Sequence, residues 1–508
     1  MTSALTAAFT RVASRWVGVL VAANLSLLAA PAAALQTPAP GAAVAGVAGV
    51  SGVAGVTGVT GAAAKAAARA AVSGADAASA PDAAAAATAA SAPLSFSARK
   101  VYERARSQLV QIRTVLKGRA SQTSVGSGFF VTREGHLITN FHVVADAALK
   151  PDRHDLVYVT ADGREAPLVI LQLDVLHDLA LLKAADPVPA AHAASAPASA
   201  RSFDALAFRT ESRGLAQGER LYSLGNPLDV GFVVTEGTFN GLVRRSFYPQ
   251  IFFGGALSAG MSGGPALDDE GRVIGVNVAR RVDGEQVSFL VPASFASALL
   301  ARGRDAAPLR RPAYDIVGAQ LLAHQQLLTE RFIAQGWKTA THPRYRVPVP
   351  PDNFLRCWGS SEPSRTGGLD LERSDCVMDT HIFVGDYTTG AIGVRHESYD
   401  GANLGALRFA ARYAQSFRNE GFARLRAEHQ TKPQCHEDFV DRNGLTLRAV
   451  VCLRAYRKLP ELYDLSVLVA TLDQPSAGVQ GRFDAQGLSF ANAQKLARHY
   501  LEGYAWAR

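Results

Sequence analysis

Apolar and polar residues alternate in short runs through much of this chain, and the rhythm changes twice. From Leu109 to about Leu290 the runs are strand-length and separated by turn chemistry. Leu156–Thr160 and Leu168–Leu173 flank Asp162-Gly163, while Phe129–Val131 and His136–Thr139 flank Glu134-Gly135. Glu270-Gly271 and Asp283-Gly284 mark two further turns. Many short strands at this spacing predict a sandwich or barrel. Past Pro312 the period lengthens: Val317, Leu321, Leu328 and Phe332 recur at helical steps up to Gly336. Strands are predicted at His381–Tyr387, Ile392–His396, Leu445–Tyr456 and Tyr463–Thr471, and helices around Leu404–Asn419 and Ala491–Tyr504.

Composition alters the picture at the N-terminal end. Arg11 and Arg15 precede an uncharged apolar run, Trp16 to Ala30, and Ala32-Ala33-Ala34 supplies small residues for cleavage. Residues 1–34 therefore read as a signal peptide, with an uncleaved anchor as the alternative. Residues 35–95 are a low-complexity Ala/Gly/Val linker too poor in large side chains to bury a core. Of 508 residues, about four hundred are left to fold, enough for two domains. A Pro/Ala/Ser-rich stretch near 184–202 is the expected junction between two barrels of an all-β domain over 96–305. Residues 306–508 form a separate α+β domain. The net charge is +8, but Lys and Arg are scattered without a basic run, so nucleic acid is not an expected partner. No later segment is apolar enough to span a bilayer, so no membrane span is expected after signal removal.

Three segments carry candidate chemistry. They are Gly126–Val144 with His142, Asp174–Lys183 with Asp178, and Gly260–Pro265 with Ser262, the last followed by Val273–Asn277. A serine hydroxyl needs an adjacent imidazole to take its proton, and the imidazole needs a carboxylate to fix its tautomer and stabilise its cation. Glycines around Ser262 let the chain turn so that the N–H groups of Gly260 and Ser262 point at one spot, a donor pair suited to an oxyanion.

These segments resemble the chymotrypsin-fold (trypsin-like) serine proteases, specifically the secreted Do-type, high-temperature-requirement (HtrA-like) branch. The likeness lies in Gly-Ser-Gly-Phe, Thr-Asn-Phe-His142-Val-Val, Asp178-Leu-Ala-Leu-Leu-Lys and Gly-Met-Ser262-Gly-Gly-Pro, with Leu224-Gly-Asn-Pro and Val234-Thr-Glu-Gly in support. It covers about residues 98–300. The resemblance implies a chymotrypsin-like double barrel with His142 as general base and acid, Asp178 as its orienter and Ser262 as nucleophile. It also implies oxyanion donors at Gly260 and Ser262, polypeptide substrates, no cofactor and no metal. His177, beside Asp178, is read as a surface residue on the opposite strand face.

Three departures qualify the likeness. Met261 stands where relatives carry Asp or Asn, so activation through a freed N-terminus is not expected. Ala256 stands where relatives that cut after Lys or Arg have Asp, and with Leu257 it predicts an apolar pocket for small or medium aliphatic residues. The substrate strand is expected to add beside Asn277, Val278 and Ala279. Residues 312–508 lack the carboxylate-binding loop of PDZ modules, so PDZ regulation and cage assembly are not carried over.

All four cysteines lie beyond residue 350. Asn443-Gly444 is a two-residue hairpin turn, and centring the hairpin on it sets Cys435 opposite Cys452 at a non-hydrogen-bonded pair, within disulfide range. Cys357–Cys376 follows by remainder; secretion favours both bonds, and no Cys-x-x-Cys spacing suggests zinc. The expectation is an exported, periplasmic or secreted serine endopeptidase acting on unfolded envelope proteins, membrane-tethered only if the signal stays. The alternative is a catalytically weak protease-fold binding or chaperone module.

Overall fold

The computed structural model describes residues 95–507 apart from 120, 186–201, 210–213, 281–286, 339–341, 364–367, 380–381, 420–421 and 423–425. The expected signal and linker, and all but the ends of the expected inter-barrel junction, lie outside the described residues.

The strand-rich half builds two closed antiparallel barrels. The first comprises β1 (Leu109–Leu116), β2 (Gln122–Phe130), β3 (His136–Thr139), β4 (His154–Thr160), β5 (Glu165–Asp174) and β6 (Leu179–Ala184), closing in the order β1-β2-β3-β6-β5-β4. Helix α1 (Phe96–Ala105) precedes it, capped by Ser95, whose side chain accepts from Ala98 N. Helix α2 (Phe141–Leu149) joins β3 to β4. The second barrel comprises β7 (Arg220–Gly225), β8 (Val233–Leu242), β9 (Ile251–Phe253), β10 (Pro265–Leu267), β11 (Val273–Arg280) and β12 (Ser288–Pro292), in the order β10-β11-β12-β9-β8-β7. Closure pairs every strand on both sides, so neither barrel leaves an edge. The double barrel expected from the sequence is present.

Helix α3 (Ala293–Gly303) leads into α4 (Tyr314–Ala334), β13 (Tyr345–Arg346), β14 (Arg356–Glu362) and β15 (Asp370–Val377). There follow β16 (Ile382–Val384), β17 (Tyr387–Thr389), β18 (Ile392–Asp400), α5 (Ala406–Ser416), β19 (Gln434–Arg442), β20 (Leu445–Ala455), β21 (Tyr463–Thr471), β22 (Ala477–Leu488), α6 (Phe490–Glu502) and β23 (Ala505–Trp506). Seven of these strands form one antiparallel sheet in the order β14-β15-β18-β22-β21-β20-β19, with α4 and α6 over its core face. The single strand expected over His381–Tyr387 is instead a hairpin, β16–β17, because Gly385 (φ 66°) and Asp386 turn the chain between Val384 and Tyr387.

Each outer strand of the seven-stranded sheet is stapled to its neighbour. Cys357–Cys376 joins β14 to β15, and Cys435–Cys452 joins β19 to β20. The second pair lies opposite in the register that Asn443-Gly444 dictates. The C-terminal region is also packed on the first barrel. Val317, Leu321, Ile382, Val384, Leu459 and Leu462 share one buried cluster with Val143, Val144 and Leu149 of α2 and with Leu156 and Leu168 of the barrel. Burying each such aliphatic side chain is worth roughly 1.5–3 kcal/mol, so the two regions stabilise one another.

Candidate active site

His142 sits in the first turn of α2 rather than at a strand end, and the loop before β6 delivers Asp178 to it. Asp178 adopts φ 54°, which turns its carboxylate under the helix start. There it accepts twice from one residue: His142 Nδ1 lies 2.6 Å from Oδ2, and His142 N donates to Oδ1 at 2.9 Å. Its carbonyl accepts from Phe141 N at 3.1 Å and Asn140 Nδ2 at 2.8 Å, locking loop and helix together. Burial disfavours the imidazolium, but the Asp178 charge and hydrogen bond outweigh it, and the His142 pKa is raised.

Ser262 comes from the second barrel, in the tight loop before β10. Gly263 there has φ 86°, and a β-carbon on it would lie 2.2 Å from both Ser127 O and Thr139 Oγ1, so only glycine fits. The loop is bonded across to the first barrel: Ser127 N donates to Ser262 O at 2.8 Å and Ser127 Oγ to Gly260 O at 2.7 Å. Gly126 is the spacer between this loop and α2. A β-carbon there would fall 2.5 Å from Val143 Cγ2 and 3.0 Å from Ser262 O. The Ser262 hydroxyl donates to Val278 O at 3.3 Å. Among the described residues, the N–H groups of Gly260 and Ser262 have no backbone acceptor.

Met261 is accommodated by packing. Its side chain is buried with Leu221, Leu257, Ala266 and Ile274 in the second barrel's core. Its carbonyl accepts from Gly264 N at 3.1 Å and Asn277 Nδ2 at 3.2 Å. That amide reveals what Asn277 does. Fully buried, it also donates to Leu224 O and accepts from Ser223 Oγ, while its backbone pairs with Gly263 and Gly264. Asn277 therefore braces the Ser262 loop and has no surface for substrate. Val278 and Ala279, the other two residues expected beside the substrate strand, lie at a bulge in β11 opposite β12. Ala256 is exposed, whereas Leu257 is turned into the barrel core.

His177 is not a surface residue. It lies in a turn, where strand alternation does not apply, wedged against Phe295 at 3.7 Å between ring centroids and Tyr248 at 4.9 Å. Its Nδ1 is 2.9 Å from Asp174 Oδ1, and Asp174 also meets Arg302. Burial pushes the Asp174 carboxyl up, but His177 and Arg302 together hold it lowered. The sequence reading missed the bracing role of Ser127 and took Asn277 for a substrate contact. A lone Asn ending the apolar run Val273–Val276 was the available signal for the second. No cluster of His, Cys, Asp and Glu suited to a metal occurs among the described residues.

Residues 126–276 match the trypsin-like peptidase domain. A probable periplasmic serine endoprotease, DegP-like, from Hahella chejuensis is 30% identical over 204 residues, covering 38% of this chain and 39% of that protein. Its counterpart from Rhizobium meliloti is 29% identical over 187 residues, covering 35% and 33%. A putative serine protease HhoB from Synechocystis is 31% identical over 181 residues, covering 34% and 38%. The chain thus spans about a third of the length of the relatives it matches. The crystal structure of the serine endoprotease from Yersinia pestis aligns with a TM-score of 0.33 at 21% identity, covering 41% of this chain and 67% of that one.

Proposed function

We propose, from a trypsin-like double barrel with paired imidazole and carboxylate beside a glycine-bound serine, that this chain is an exported serine endopeptidase. The observation that carries the reading is the two-point grip of Asp178 on His142, 2.6 and 2.9 Å, on a helix whose Val143 side chain crowds Gly126 together with the Ser262 carbonyl. With peptide in the cleft, Ser262 Oγ leaves Val278 O and attacks the scissile carbonyl while His142 Nε2 takes its proton. The N–H groups of Gly260 and Ser262 receive the oxyanion. Asp178 holds Nδ1–H and stabilises the imidazolium. The tetrahedral adduct then expels the amine, which takes the proton from Nε2 and leaves an acyl-Ser262. Water, activated by the same imidazole, attacks the ester; the proton returns to Ser262 Oγ and the acid is released.

Ala256, exposed where relatives that cut after Lys or Arg have Asp, carries no charge to pair a buried ammonium, so the cleaved residue is small or medium and aliphatic. Export is supported by the N-terminal sequence, by relatives named periplasmic and by two disulfides, which persist in oxidising compartments. A binding module is the competing reading, favoured by the Ser262 hydroxyl's bond to Val278 O. A fluorophosphonate probe separates the two. The purified chain should become labelled and degrade casein, and Ser262→Ala should do neither; an unlabelled wild type would refute the peptidase.

A further inference from the structure

His142 is gripped by Asp178 on one side of its ring, and a second residue, from outside both barrels, lies against the ring itself. Phe383 of β16 stands with its ring centroid 5.2 Å from that of His142, the planes tilted by 47°. The hairpin that carries it is firmly seated. Ile382 and Val384, on either side, are each 1% exposed and packed into the cluster that includes Val143, Val144 and Leu149 of α2. Strand alternation turns Phe383 to the opposite face, where it is half-buried. On β17, Thr389 Oγ1 lies 2.7 Å from the Tyr456 hydroxyl, which donates at 2.6 Å to the buried Asp464. His324 Nε2 meets Gly390 O at 2.9 Å. Helix, sheet and hairpin therefore fix this ring beside the imidazole.

An extended substrate presents successive side chains to opposite sides. When the residue before the scissile bond points at Ala256 in the second barrel, its neighbours point to the opposite side, where His142 of α2 and Phe383 of β16 stand. We infer that Phe383 is a specificity-determining residue, an aromatic wall that selects an apolar side chain next to the one held by the second barrel. A charged side chain there would lose hydration without gaining a partner. The hairpin's own acid does not supply one: Asp386 is at the tip, facing His429 Nε2 at 2.9 Å and Arg426 at 3.7 Å. This inference deepens the peptidase reading and rests on it.

The test uses the full chain as wild type, Phe383→Ala, Phe383→Leu and Phe383→Arg. Each is assayed on peptides with a fixed aliphatic residue at the cleaved position and Gly, Leu, Phe, Asp or Lys beside it, and fluorophosphonate labelling is run in parallel. In Phe383→Ala the kcat/KM ratio of Leu- to Gly-containing peptides should fall about 10-fold, the scale of one apolar contact, through KM. Phe383→Leu should recover most of it. Phe383→Arg should shift preference toward Asp and keeps the question answerable if the alanine form does not fold. An equal loss for all peptides would make Phe383 merely structural, and an equal gain would make it a cover; either overturns the wall. Normal labelling with unchanged selectivity overturns the wall alone, whereas an unlabelled wild type overturns the catalytic reading and the wall with it.

Discussion

At the scale of single residues, the pairing of His142 with Asp178 sets a pH dependence. In the proposed mechanism the imidazole must be neutral to take a proton, so kcat/KM should rise with pH as His142 deprotonates. Because its pKa is raised, the midpoint of that acid limb should lie above that of an ordinary imidazole. Asp178→Asn should lower the midpoint and cost about 10⁴-fold in kcat, measured on a casein-derived peptide. The same shift has a stability sign. A folded pKa above the unfolded one means the ion pair stabilises the fold at low pH, and the contribution is lost as pH rises through the folded value. The residues with these roles stood out in the sequence because turn glycines and apolar runs frame them. Asn277 was read as a substrate contact instead, since its work is to satisfy carbonyls of loops distant in sequence. His177 was misplaced because the two aromatics that bury it, Tyr248 and Phe295, come from elsewhere in the chain.

Among elements, the hairpin β19–β20 shows how much a turn can specify. Asn443 at φ 56° and Gly444 at φ 83° set the register, the register sets Cys435 opposite Cys452, and the bond then holds the sheet's last strand. At the other side Cys357–Cys376 does the same for β14, which exposes Trp358. Unpaired outer strands invite pairing with other chains. Replacing Cys435 and Cys452 together by Ser should cost about 3 kcal/mol in urea unfolding, the chain-entropy value for a loop of this length. It should also promote aggregation, measured by light scattering. Local chemistry made this hairpin legible. The β16–β17 hairpin was read as one strand because its apolar residues run almost without a break, and only Gly385-Asp386 betrays the turn.

Over the whole molecule, the two-barrel plan was legible because barrel strands bury their pattern within themselves. The attachment of residues 306–508 was not, since it depends on which apolar faces meet. Val317, Leu321, Ile382 and Val384 cover α2, the helix that bears His142. A chain ending at Asp305 should therefore bind a hydrophobic dye and elute as aggregate in size-exclusion chromatography; a well-behaved monomer with full peptidase activity would contradict the shared core. Chain order gives the arrangement a further consequence. A ribosome delivers His142, Asp178 and Ser262 before it delivers Phe383, so on the proposed reading a nascent chain would hold its serine loop before the surface inferred to screen what reaches it.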